Sequence, residues 1–174
     1  MSEDQKNQPE ETTVSAEETD TQEPQRPAMP CTEPGFLLAE RIAFHALELK
    51  GEDLVILDLR TVSDVCDFFV LVSGFADVQV KAISRHVRDS LVPVKQKPVG
   101  IEGEGDGRWI LLDYVDVVVH LLKPEVREYY QLERLWDDAP AMVVDEDHFN
   151  SDGFKERHPD LTLPGANPSP TSAG

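Results

Sequence analysis

The sequence contains no apolar run approaching the roughly eighteen residues that a membrane-spanning helix needs, so no such helix is expected. Cysteine is scarce, with only Cys31 and Cys66. Neither sits in a metal-ligand spacing, and a disulfide between them is not expected in a reducing compartment. Basic residues are also few: 16 Lys and Arg stand against 34 Asp and Glu, for a formal net charge of −18. Phosphate backbones select basic surfaces, so direct readout of nucleic acid is not expected either. The first thirty residues hold no apolar stretch, and Lys6 and Arg26 are their only bases. Neither a secretory signal nor an Arg-rich transit peptide is expected there, which points to the cytoplasm.

Hydrophobic residues make up 40 % of the 174, enough for one ordinary core. Residues 1–34 hold nine acids and two bases, residues 35–138 nineteen and twelve, and residues 139–174 six and two. The middle of the chain is therefore only moderately acidic, which is compatible with a basic protein partner. Residues 1–34 are rich in Glu, Thr, Gln and Pro and read as a disordered acidic tail. Composition shifts again near Pro140, so residues 140–174 read as a second, mostly disordered tail, with Ala141 to Val144 the part able to dock. The acidic run Asp145-Glu146-Asp147 reads as solvated rather than metal-binding.

Residues 35–139 form the expected domain. Leu38, Ile42, Ala46 and Leu49 recur at helical spacing, and Gly51 ends the run where a left-handed cap is wanted. Leu54–Leu57 and the apolar Asp67–Ser73 read as strands, the latter buried on both faces. Asp77 is the expected N-cap of a helix with Val80, Ile83, Val87 and Leu91 on one stripe. Strands near Pro98–Glu102, Arg108–Asp113 and Val117–Leu122 follow, the first two joined by a Gly-rich hairpin loop at 103–107. Pro124 opens a last helix expected to turn Val126, Tyr129, Leu132 and Leu135 inward and to end near Trp136. The order predicts an α/β (α+β) domain with a mixed five-stranded sheet and packed helices.

Two chemistries compete. Ser73-Gly74 ends a buried strand just before a helix, where free N–H groups can hold an anion. With Asp113 and Asp116, it supplies the pieces of a metal-dependent nucleotidyl or phosphoryl transferase. However, carboxylates three apart do not share a face of a strand. They suit a tight turn, where Asp side chains bond local N–H groups. His120 on its apolar strand reads as a packing residue more readily than as a base. No nucleophile with an obvious base stands out, and no cofactor is implied. Trp109, Tyr114, Tyr130 and Trp136 are amphipathic aromatics suited to an interface or to a core.

Several segments together resemble the ribosomal silencing factor (Iojap) family. They are Asp67-Phe68-Phe69-Val70, Ser73-Gly74, Asp77-x-Gln79-Val80, Gly100-x-Glu102-Gly103, and the long block from Trp109 to His120 that continues through Glu125 to Ala139. The resemblance covers about residues 36–139. It implies a domain related to the nucleotidyltransferase fold without catalytic activity. It further implies binding to the large ribosomal subunit through ribosomal protein fourteen, which blocks joining of the small subunit and lowers translation under nutrient limitation. Self-association into a homodimer is a further expectation. Phe75-Ala76 replaces the family's commoner small polar pair, and Tyr114-Val115 replaces a more usual Gly. On this resemblance the partner-binding candidates are Trp109, Asp113, Tyr114, Asp116 and His120, followed by Tyr130, Glu133, Arg134 and Trp136. Aromatic anchors with acidic groups at the rim would steer a basic partner.

Overall fold

The computed structural model describes residues 32–164; the expected tail over residues 1–31 and the last ten residues lie outside that range. Pro34, whose missing N–H costs nothing in a first turn, opens helix α1 (Pro34–Glu48). The left-handed residue after it is Lys50 (φ 61°), one position before the glycine expected to take that conformation. Gly51 is needed for a different reason: a Cβ there would lie 2.7 Å from Val72 and 2.8 Å from the Ala46 carbonyl. Strands β1 (Glu52–Asp58) and β2 (Phe68–Ser73) follow, with every position of β2 buried. Helix α2 (Asp77–Leu91) starts one residue earlier than expected, with Ala76 at the cap position and Asp77 inside the first turn. There its charge favours the positive end of the helix. Gln79 does the tying: its amide oxygen accepts from Phe75 N–H at 2.9 Å and its amide nitrogen donates to the Leu49 and Lys50 carbonyls.

The chain continues through β3 (Gly100–Glu102), β4 (Trp109–Asp113) and β5 (Val117–Leu122). The 103–107 loop joins β3 to β4 as a hairpin and is fastened to α2 by Lys81 Nζ on the Gly105 carbonyl (2.8 Å) and by Arg88 on Glu104. Gly103 is required in it, since at φ 79° a Cβ would meet the Trp109 carbonyl oxygen at 1.8 Å. The single long helix expected next is instead two short ones, α3 (Pro124–Tyr130) and α4 (Leu132–Leu135), broken where Gln131 turns left-handed at φ 46°. Because of that break Val126 and Leu132 are buried, while Tyr129 and Leu135, expected inward, are 80 % and 70 % exposed.

The sheet has six strands rather than five, in the order β3-β4-β5-β2-β1-β6. The sixth, β6 (Ala141–Val143), pairs antiparallel with Leu57, Ile56 and Val55 of β1. Only β2 and β5 run parallel; the other neighbours are antiparallel. Residues beyond 140 were read as a mostly disordered tail, and the structure corrects that reading up to Pro164. After β6 come α5 (Glu146–Asn150) and α6 (Asp152–Arg157), capped by the side chains of Asp145 and Ser151. Their Phe149 and Phe154 enter the main core beside Phe44.

That docking is locked by a buried carboxylate. Glu40 on α1 is fully buried and receives Arg157 through two nitrogens (2.5 and 2.9 Å), His148 Nε2 (2.9 Å) and His158 Nε2 (3.0 Å). Burial alone would raise its pKa, but the bonds from His148, His158 and Arg157 outweigh it and hold the group well below the usual carboxylate range.

Candidate partner-binding face

Strand alternation gives the sheet two unlike faces. Ile110 and Leu112 of β4 and Tyr114 just after it, with Val117, Val119 and Leu121 of β5, point toward the core shared with α1, α2, α5 and α6. Trp109 and Leu111, with Val118 and Leu122, point the other way, where α3 and α4 contribute only Val126 and Leu132 as buried cover. This second face is therefore thinly covered, and aromatic side chains finish it.

Trp109 is half-buried there, and its indole N–H donates to His120 Nδ1 at 3.2 Å. The Trp109 and Tyr130 rings lie 4.8 Å apart, and Tyr130 meets Tyr129 edge-on at 5.0 Å. Phe69 of β2 meets His120 at 4.5 Å and Trp136 at 5.9 Å, both edge to face. Such pairs contribute about 0.5–1.5 kcal/mol each beyond the area they bury. Because Nδ1 of His120 accepts, its proton sits on Nε2, which is buried with no partner among the described residues. Burial pushes the His120 pKa down to about 4, so the ring is neutral at physiological pH.

The structure thus gathers Trp109, His120, Tyr130 and Trp136 into one cluster, with Phe69 as the linking ring. Glu133 and Arg134 border a neighbouring cleft of about 490 Å³ that also contains Ser73 and Asp53. Within it Arg127 reaches Glu133 (2.6 Å), the Ser73 hydroxyl (2.9 Å) and the Asp53 carbonyl (2.6 Å). Asp113 shares the face of Trp109 but lies four residues along the strand, about 13 Å away. Its carboxylate accepts from Val115 N–H at 2.8 Å and closes the β4–β5 turn, and Asp116 is exposed in that turn. Tyr114 is not on this face: it is 6 % exposed in the main core, where burial raises its pKa to about 12. Phe69 and Tyr129 complete the face and are not among the partner-binding candidates named from sequence: Phe69 has only the signature of a buried strand residue, and Tyr129 is expected inward.

The pieces of the transferase reading are kept apart. In the parallel ladder Phe68 aligns with Val117 and Ser73 with Leu122. The Ser73-Gly74 turn is therefore at one end of the strands and Asp113 and Asp116 at the other, about 17 Å away. Ser73 Oγ is engaged by Arg127, and burial, with Asp67 and Asp113 nearby, pushes the Cys66 thiol up to about 11, so that thiol is protonated at neutral pH. The arrangement suits recognition of another surface.

A family model described as "Ribosomal silencing factor during starvation" matches residues 35–163. The chain belongs to the ribosomal silencing factor family. The ribosomal silencing factor RsfS of Bacillus subtilis is 40 % identical over 96 residues, which are 55 % of this chain and 81 % of that protein. The crystal structure of a Chromobacterium violaceum protein superposes with a TM-score of 0.56 at 33 % identity, covering 57 % of this chain and 83 % of the other. A mouse relative named "Mitochondrial assembly of ribosomal large subunit protein 1" is 29 % identical over 105 residues, 56 % of this chain and 46 % of that protein. The family match extends through β6, α5 and α6, well past the segment whose motifs first pointed to it. The mixed sheet and packed helices predicted from the order of elements are those of the structure, which the Chromobacterium violaceum protein shares.

Proposed function

We propose that this member of the family binds the large ribosomal subunit through ribosomal protein fourteen and sterically prevents the small subunit from joining. Translation is then repressed under nutrient limitation. The reading is carried by the thinly covered sheet face on which Trp109, His120, Tyr130 and Trp136 are gathered by Phe69. Interfaces take their energy from a few aromatic anchors that are largely desolvated on docking. Here the rings are already held against one another, so little side-chain entropy remains to be lost. Exposed Tyr129, edge-on to Tyr130, extends the aromatic area at the edge of the cluster. The chain's acidic balance favours a basic partner and speeds encounter with it. The name of the mouse relative mentions the large subunit, which agrees with that choice of subunit.

Binding alone performs the function: a subunit whose joining surface is covered cannot pair, and no bond is made or broken. The test is co-sedimentation of the purified protein with separated subunits, run beside a subunit-joining assay. Selective pelleting with the large subunit and fewer joined ribosomes is expected. A folded protein that stays in the supernatant with both subunits would overturn the proposal.

A further inference from the structure

We propose that His45, Glu48 and His86 form a site for one divalent transition-metal ion of the zinc class, bridging α1 and α2. His45 and Glu48 are three residues apart on α1 and so share one face of the helix; His86 approaches from α2. Nδ1 of His45 and Nε2 of His86 each lie 2.8 Å from the same oxygen, Glu48 Oε2. All three ligand atoms lie within 4.8 Å of one another. Around a tetrahedral zinc ion with bonds of about 2.0–2.1 Å, neighbouring ligand atoms stand roughly 3.4 Å apart. The two contacts to Glu48 are shorter than that value and no separation exceeds 4.8 Å, so the side chains need to open by about half an ångström to admit an ion. Two imidazoles and a carboxylate suit Zn²⁺ and its neighbours Co²⁺ and Ni²⁺ over the hard cations, and three protein ligands leave a fourth position for water.

Without an ion, Nδ1 of His45 donates to the Glu48 carboxylate and Nε2 is buried with no partner among the described residues, so an incoming ion has to displace the Nδ1 proton to Nε2 or to solvent. The cluster can be reached from solvent: His86 is half-buried, and Glu48 lines a cleft of about 270 Å³ with Lys50, Glu146 and Asn150. The nearby cation Arg41 is met by Asp160 at 2.6 Å, which moderates its repulsion of an incoming ion.

The site is tested on the untagged full-length chain, stripped with a chelator and titrated with Co²⁺. One equivalent is expected to give the visible absorption of a four-coordinate ion, to be displaced by Zn²⁺, and Zn²⁺ is expected to raise Tm. His86→Ala and Glu48→Gln should weaken uptake beyond the roughly 10–100-fold typical of losing only an outer-shell partner. His86→Cys should retain it and add a thiolate-to-cobalt band. Failure of the folded wild type to take up Co²⁺ would reduce the cluster to a hydrogen-bonded clasp and overturn the proposal. Equal uptake by His86→Ala would place the ion elsewhere, with the same consequence.

Discussion

The indole N–H of Trp109 donates to Nδ1 of His120 across the β4–β5 ladder, and this one bond sets the tautomer of the histidine. With the proton on a buried, unpartnered Nε2, adding a second proton is unfavourable, and the folded-state pKa falls from 6.5 to about 4. The unfolded chain then binds more protons than the folded one between those values. Stability is fully present above pH 6.5 and declines as the pH falls toward 4, by up to about 3 kcal/mol from this residue. Burial lowers the His45 pKa as well, which acts in the same direction, so the informative quantity is a difference. Urea unfolding from pH 7 to 4 should show a shallower decline in His120→Gln than in the wild type. Parallel curves would remove His120 from the account.

Truncating the aromatic face should separate binding from folding. Trp109→Ala is expected to weaken large-subunit binding by about 2 kcal/mol or more, some thirtyfold, while the circular dichroism spectrum stays that of the wild type. Tyr114 provides the contrast, because it lies in the main core with its hydroxyl buried and unpartnered. Tyr114→Phe should leave binding unchanged and stability equal or slightly higher. Co-sedimentation and thermal melts of the two variants, side by side, decide whether the face has been placed on the correct side of the sheet.

Glu40 is the group on which the docking of the C-terminal segment turns. Glu40→Ala leaves Arg157, His148 and His158 around an empty position and should cost about 3–5 kcal/mol. The loss should be local first. Proteolysis is expected to begin near residues 145–157 in the variant, under conditions where the wild type resists. Equal resistance of the two chains would show that Phe149 and Phe154 hold the segment without the carboxylate.

Val115 occupies the β4–β5 turn at φ 73°, a conformation that a β-branched residue adopts only at a cost of about 1–3 kcal/mol. Its side chain is exposed, so little packing would be lost on replacement. Val115→Gly should therefore raise stability by about 1 kcal/mol, even though glycine gives the unfolded chain more freedom. An unchanged or lower denaturant midpoint would contradict the strain.

Helices α1 and α2 and strands β2 and β5 were legible because each carries a clean pattern, a 3.6 period in the helices and an unbroken apolar run in the strands. Tyr114 was misassigned although the information was present. Counting by twos from Ile110 and Leu112 puts it on the core side, whereas Trp109 and Leu111 count to the other. The segment after Pro140 was harder to read. Its strand has three residues, and its helices of five and six residues are too short to display a stripe. What marked them were the capping side chains of Asp145 and Ser151, a signal easily lost among so many acids and serines. The gathering of Trp109, Tyr130 and Trp136 around Phe69 and His120 depends on strand order and on the left-handed turn at Gln131. Neither has a local sequence signature strong enough to read alone.

The lock on Glu40 also bears on how the chain comes to be made. Its partners Arg157 and His158 follow it by 117 and 118 positions, so they leave the ribosome long after α1 has emerged. Until then the carboxylate faces water and the pocket for Phe149 and Phe154 stands open. A chain cut short before His148 carries an uncompensated acid beside an unfilled apolar groove, and should be removed by proteolysis. Synthesis through His158 is thus written into the stability of the product.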